Sequence, residues 1–68
     1  MAVVKIIELV GSSTTSSDDA VQSALAEAKQ TLRNIKAVDV VSTGLRADDL
    51  GEWRAHIRVA FLIERVSE

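Results

Sequence analysis

Residues 52–64 read EWRAHIRVAFLIE, a run without glycine or proline. Trp53, Ala55, Ile57, Val59, Phe61 and Ile63 fall on one alternate set, and Arg54, His56, Arg58, Ala60, Leu62 and Glu64 on the other. A period of two over so many positions marks a β-strand with one strongly apolar face. At roughly 3.3 Å per residue such a strand spans about 43 Å. Upstream, residues 37–43 carry Val38, Val40 and Val41 and are followed by Gly44, and the segment RADDLG at 46–51 supplies turn residues. Residues 37–64 therefore predict a β-hairpin.

The segment before the hairpin has a different period. Val21, Ala24, Leu25, Ala28, Leu32 and Ile35 recur at three-, four- and seven-residue spacings, and no glycine or proline interrupts 20–36. That pattern predicts an amphipathic helix over about 17–35, with Gln22, Glu27, Lys29, Gln30 and Arg33 facing outward. Ser16 followed by Asp19 resembles a capping box, and Asp18 and Asp19 place negative charge at the helix N-terminus. The helix spans only about 28 Å. It cannot cover the long third strand, so the surplus apolar surface requires another chain.

At the front of the chain, residues 3–10 read VVKIIELV and end at Gly11. Bulky residues occupy both alternate sets, Val4, Ile6 and Val10 on one and Val3, Ile7 and Leu9 on the other. A strand covered on a single face alternates more cleanly. This one is expected to be covered by the helix on one side and a partner subunit on the other. The predicted fold is α+β, in the order β-α-β-β, with an antiparallel three-stranded sheet wrapped around one helix.

Size points the same way. The chain has 68 residues, is 47% hydrophobic and contains no cysteine. It is read as a single domain over 1–68, and a domain this small buries only about 60% of its unfolded surface. Disulfides are excluded and His56 is the lone histidine, which leaves oligomerisation as the remedy. No run approaches the roughly 20 apolar residues of a membrane helix and no export signal is read, so a cytoplasmic location with no membrane partner is expected. Eight basic against ten acidic residues give a net charge of −2, which argues against a nucleic-acid binder.

The stretches VVKIIELVGSS, SSDDAVQSALAEAKQTLRNI and VAFLIE together resemble the dodecin family, and the resemblance covers nearly the whole chain. It implies a hollow homododecamer built from trimers, with helices outside and sheets turned inward. It also implies binding of flavins, riboflavin or its phosphate FMN, stacked between symmetry-related tryptophans and held at the ring edge by a glutamine. The tryptophan position matches Ala37 and the glutamine position matches Arg54. Basic residues that hold the flavin tail in some members match Gly44 and Leu62. None of the four family residue types stands at these positions, so flavin affinity is expected to be low. Loss of ring stacking and of part of the tryptophan's buried area costs on the order of two to three decades of affinity on each side. Some dodecins that lack the tryptophan bind calcium, and an ion-binding shell is the alternative reading. A protein-interaction module using the edge of the third strand is another.

Other candidates have plainer explanations. Trp53 has opposite parity to Arg54, which assigns it to packing rather than to stacking a ligand. Arg54, His56 and Arg58 share a face and suit either an anion or ion pairing, with Asp39 on the neighbouring strand as one partner. Asp18-Asp19 and Asp48-Asp49 suit helix capping and turn formation, and neither pair alone supplies the six to eight oxygens of a calcium site. Metal ligands are not identifiable. Neither a cysteine nucleophile, a glycine-rich phosphate loop nor an arguable catalytic triad is present, so no enzymatic activity is expected.

Overall fold

The computed structural model describes residues 3–63. Strand β1 spans Val3–Ser13, helix α1 Ser17–Thr31, β2 Ile35–Arg46 and β3 Glu52–Ile63. The strands form one antiparallel sheet in the order β1-β3-β2. The long third strand is thus the centre of the sheet, and the predicted β-α-β-β order is observed. The predicted last residue of the third strand, Glu64, lies outside the described residues.

Three element bounds differ from the sequence reading. Strand β1 runs past Gly11 to Ser13, because Ser12 and Ser13 still pair with Arg54 and Trp53. The helix ends at Thr31 instead of continuing to residue 35. Leu32 is its C-cap in an extended conformation, and its N–H donates to the Ala28 carbonyl at 2.8 Å. Asn34 then adopts a φ of 60°, a left-handed conformation that asparagine tolerates better than most residues. Ile35 continues the helical spacing in sequence but opens β2 opposite Phe61. Strand β2 accordingly covers more than 37–43, reaching Arg46 before the turn.

The helix N-terminus forms largely as read. Ser16 is the N-cap, and its Oγ accepts from the Asp19 N–H at 3.0 Å. Asp19 does not complete the reciprocal half of the box. Its Oδ2 instead accepts from Ser13 Oγ at 2.6 Å, tying the helix start to the end of β1. In the hairpin turn, Asp49 Oδ1 accepts from the Gly51 N–H at 3.0 Å, which fits the turn-forming reading of that carboxylate.

One face of the sheet receives the helix. Ala20, Ala24 and Ala28 form the buried helix stripe, over Ala55, Ile57 and Val59 of β3. Gly11 lies beneath this stripe, where a Cβ would stand 2.9 Å from the Ala24 Cβ and overlap the Ala20 carbonyl oxygen. Small residues on both sides set the close approach. The helix lies over β1 and β3 and barely touches β2.

Among the described residues, nothing covers the opposite face. Val4, Ile6 and Val10 are 53%, 55% and 61% exposed there, while Ile57 and Val59 are the only large side chains fully buried among the described residues. The molecule extends 55 × 19 × 15 Å, one helix and one sheet thick. A core of that thickness leaves more large apolar side chains outside than in. No helix among the described residues is long and apolar enough to cross a membrane.

Candidate ligand-binding site

The open face of β3 carries alternate charge and apolar character. Arg54, His56 and Arg58 project from it, followed by Ala60 and Leu62, as the two-residue period requires. Glu8 on β1, register partner of Arg58, reaches both basic neighbours. Its Oε1 lies 2.7 Å from His56 Nε2 and its Oε2 lies 3.7 Å from Arg58 Nε. Asp39 is the register partner of Arg58 on β2, yet the ion pair is made with Glu8. These side chains are a third or more exposed, and pairs of that kind contribute at most about 1 kcal/mol.

A cavity of about 220 Å³ opens at the turn end of this face. Its floor is the β2–β3 ladder, where Gly44 stands directly opposite Arg54 and Ser42 opposite His56. Val10 closes one side, and Thr43 and Arg46 the other. Ser42 reaches this register through a β-bulge, in which Val41 is the extra residue between Val40 and Ser42. Without the bulge, alternation would put Ser42 and Gly44 out of step with His56 and Arg54.

Arg46 enters the cavity because Gly44 has no side chain. A Cβ at Gly44 would come within 2.9 Å of Arg46 Nη1. The folded-back guanidinium donates from Nη1 to the Leu45 carbonyl at 2.8 Å. Arg54 donates from Nη2 to Glu52 Oε1 at 3.2 Å. Its Nε is buried and has no acceptor among the described residues. Leaving a buried donor unpaired costs about 1–3 kcal/mol, so an acceptor entering the cavity gains where the chain itself offers none.

Of the four positions singled out in the sequence, the cavity brings together two, Gly44 and Arg54. Ala37 lies opposite Ala60, six residues from Arg54 along β3 and so about 20 Å away. Leu62 is further along still, paired with Val4. All four share the open face, but one chain does not gather them into one pocket. Trp53 sits between Ser13 and Leu45, half-buried and outside the cavity lining, in keeping with its opposite parity. Sequence reasoning missed Arg46, Ser42, Thr43 and Val10. Only the empty side chain of Gly44 hints at the first, and the bulge that places the second leaves no mark in the period.

No set of three histidine, cysteine, aspartate or glutamate side chains converges among the described residues. The volume of the cavity also falls below the roughly 300–1,000 Å³ of a complete small-molecule site. The fold and this half-open cavity define a small α+β protein of the ligand-binding kind, with one sheet face left apolar and open.

The family is shown directly. The dodecin family model matches residues 3–64, and the chain belongs to the dodecin family, a family of small ligand-binding, non-enzymatic proteins whose members bind flavins. Among solved structures, the chain is similar to an arginine-to-alanine mutant of the Thermus thermophilus dodecin, with 33% identity, a TM-score of 0.85, and coverage of 96% of this chain and 100% of that one. It is similar to the dodecin of Streptomyces coelicolor at 27% identity and a TM-score of 0.87, over 96% of both chains. The calcium dodecin of Mycobacterium tuberculosis, described as calcium-chelating with a novel calcium-binding site, is 25% identical with a TM-score of 0.81, over 97% of both chains. No curated protein matches the chain.

Proposed function

We propose that this chain is one subunit of a hollow homo-oligomer, a dodecamer built from trimers, that binds a small ligand in pockets shared between subunits. The observation that carries this reading is the half-open cavity on an uncovered apolar sheet face. Val4, Ile6 and Val10 need a covering surface, and the cavity needs further walls. A second copy of the same face supplies both, as symmetric interfaces do. The separation of Ala37 from Arg54 on one chain supports the same conclusion, since a pocket using both positions has to draw them from different subunits.

In this reading the flavin site is altered. Ala37 offers no ring to stack on, Arg54 stands where a glutamine would meet the ring edge, and Gly44 and Leu62 offer no cation for the tail. Riboflavin and FMN then bind weakly. Equilibrium dialysis of the purified assembly against both flavins tests this. Binding weaker than about 10 µM supports it, whereas submicromolar binding with one flavin per subunit contradicts it.

Calcium is the second reading, favoured by the likeness to the M. tuberculosis calcium dodecin. Such a site would assemble carboxylates from several subunits, because calcium takes six to eight oxygens. Metal analysis after chelation and re-addition separates this from the first reading.

A further inference from the structure

We infer that two copies of this chain are held together by a reciprocal ion pair, Asp39 of each copy meeting Arg46 of the other across a two-fold contact of their open sheet faces. This deepens the proposed assembly and rests on it. Asp39 and Arg46 lie seven positions apart on β2, a spacing that in a regular strand sends side chains to opposite faces. The bulge at Val41 changes the step. Asp39 pairs with Arg58 and Arg46 with Glu52, six positions apart on β3, so both belong to the open face. The empty side chain of Gly44 lets Arg46 lie over that face, where it lines the cavity.

Charge pairing singles these two residues out. Among the described residues that the ladders place on this face, Glu8 meets His56 and Arg58, and Glu52 meets Arg54. Asp39 and Arg46 meet no opposite charge. Both are exposed, and the one hydrogen bond of the Arg46 guanidinium goes to the Leu45 carbonyl. Covering Val4, Ile6 and Val10 takes these two charges out of water as well, which is unfavourable unless each finds a partner. An isologous contact supplies both partners at once, because a residue that meets a second one obliges the reverse contact. With the strands of the two copies antiparallel, the axis falls midway between the Arg58 and Glu52 rows, level with Ala55. Asp39 and Arg46 then stand about 10 Å to either side of it. Stacked sheets lie about 10 Å apart, a gap that an arginine and an aspartate reach across together. The same axis passes beside the cavity, whose floor pairs Gly44 with Arg54 and Ser42 with His56. Two cavities of about 220 Å³ each then open into one space, which reaches the size of a complete small-molecule site.

The test is a charge swap, read by sedimentation over a dilution series at low salt. Asp39→Arg and Arg46→Asp each set like charges against one another at both ends of the contact, and the double variant Asp39→Arg with Arg46→Asp restores opposite charges. Both residues are exposed in the single chain, so the changes leave its own packing in place, and helical circular dichroism checks this. Each single reversal is expected to raise the concentration for half-assembly at least about tenfold, since like charges facing across an interface repel. The double variant is expected to recover most of that loss. Two results overturn the inference: a single reversal that assembles like the unmodified chain, or a double variant that assembles as poorly as the single ones. An unmodified chain that remains a monomer would instead overturn the proposed assembly beneath it.

Discussion

Gly11 and Ala24 hold the helix and the first strand at a separation that leaves no room for one more methyl group, with 2.9 Å between a Cβ built on the glycine and that of the alanine. The Ala20 carbonyl closes the same space from above. Backbone lies on one side and a helix with nowhere to retreat on the other, so the contact cannot relax by turning a side chain. Gly11→Ala is expected to destabilise the protein by about 1–3 kcal/mol, the usual range for overpacking. Denaturant unfolding measures this, and an unchanged midpoint would show that the helix rides more loosely than described.

The cap at Ser16 gives a smaller and more selective effect. Its Oγ accepts from Asp19, one of the donors the helix leaves unpaired at its start. Ser16→Ala is expected to cost about 1 kcal/mol, and Ser16→Asp to retain most of the stability, because aspartate also caps. Equal losses in the two variants would remove capping as the cause.

The apolar open face gives a third prediction. Ile6 is 55% exposed in a single chain, so a charge there disturbs little of the chain's own packing. In an assembly that covers this face, Ile6→Asp places a carboxylate in an apolar contact, a change that costs several kcal/mol unless the charge is paired. Sedimentation should show smaller species than the unmodified protein while the helical circular dichroism persists. Sedimentation identical to the unmodified protein would mean that this face is not an interface.

A fourth prediction concerns the proposed alteration of the flavin site. Ala37→Trp combined with Arg54→Gln places a stacking ring and an amide at the two positions that the family resemblance matches to them. Aromatic stacking contributes about 0.5–1.5 kcal/mol beyond burial and the covered ring area about 1–3 kcal/mol more, so the double variant should bind riboflavin at least about tenfold more tightly. Equilibrium dialysis reads the gain. No gain would show that these positions do not form the pocket.

Much of this architecture is legible in the sequence because it follows from local period and chemistry. The alternation through Ile57, Val59 and Phe61 marks the third strand, and Ser16 with Asp19 marks the helix start. What is not legible depends on pairing partners. Ile35 keeps the helical spacing yet is drawn into β2 opposite Phe61, and Ser12 and Ser13 become strand because β3 extends far enough to pair with them. The bulges at Lys36 and Val41 are settled by the ladder and leave no period to read. The site was half legible for the same reason. Gly44 and Arg54 meet across one ladder, but Arg46 enters only because Gly44 is empty, a relation between two residues and a neighbouring strand. In the proposed assembly, walls from other copies would come from the same sequence, with no spacing that reveals them.

In the proposed assembly, copies of this chain cover one another's open sheet face and complete the ligand pocket. Native mass spectrometry of the purified protein tests it most directly. With a chain mass of 7.3 kDa, a dodecamer gives a dominant species of about 88 kDa that persists on dilution to low micromolar concentration. A dominant 7.3 kDa species that keeps its secondary structure would contradict it, because the exposed face and the half-open cavity would then be features of a complete molecule.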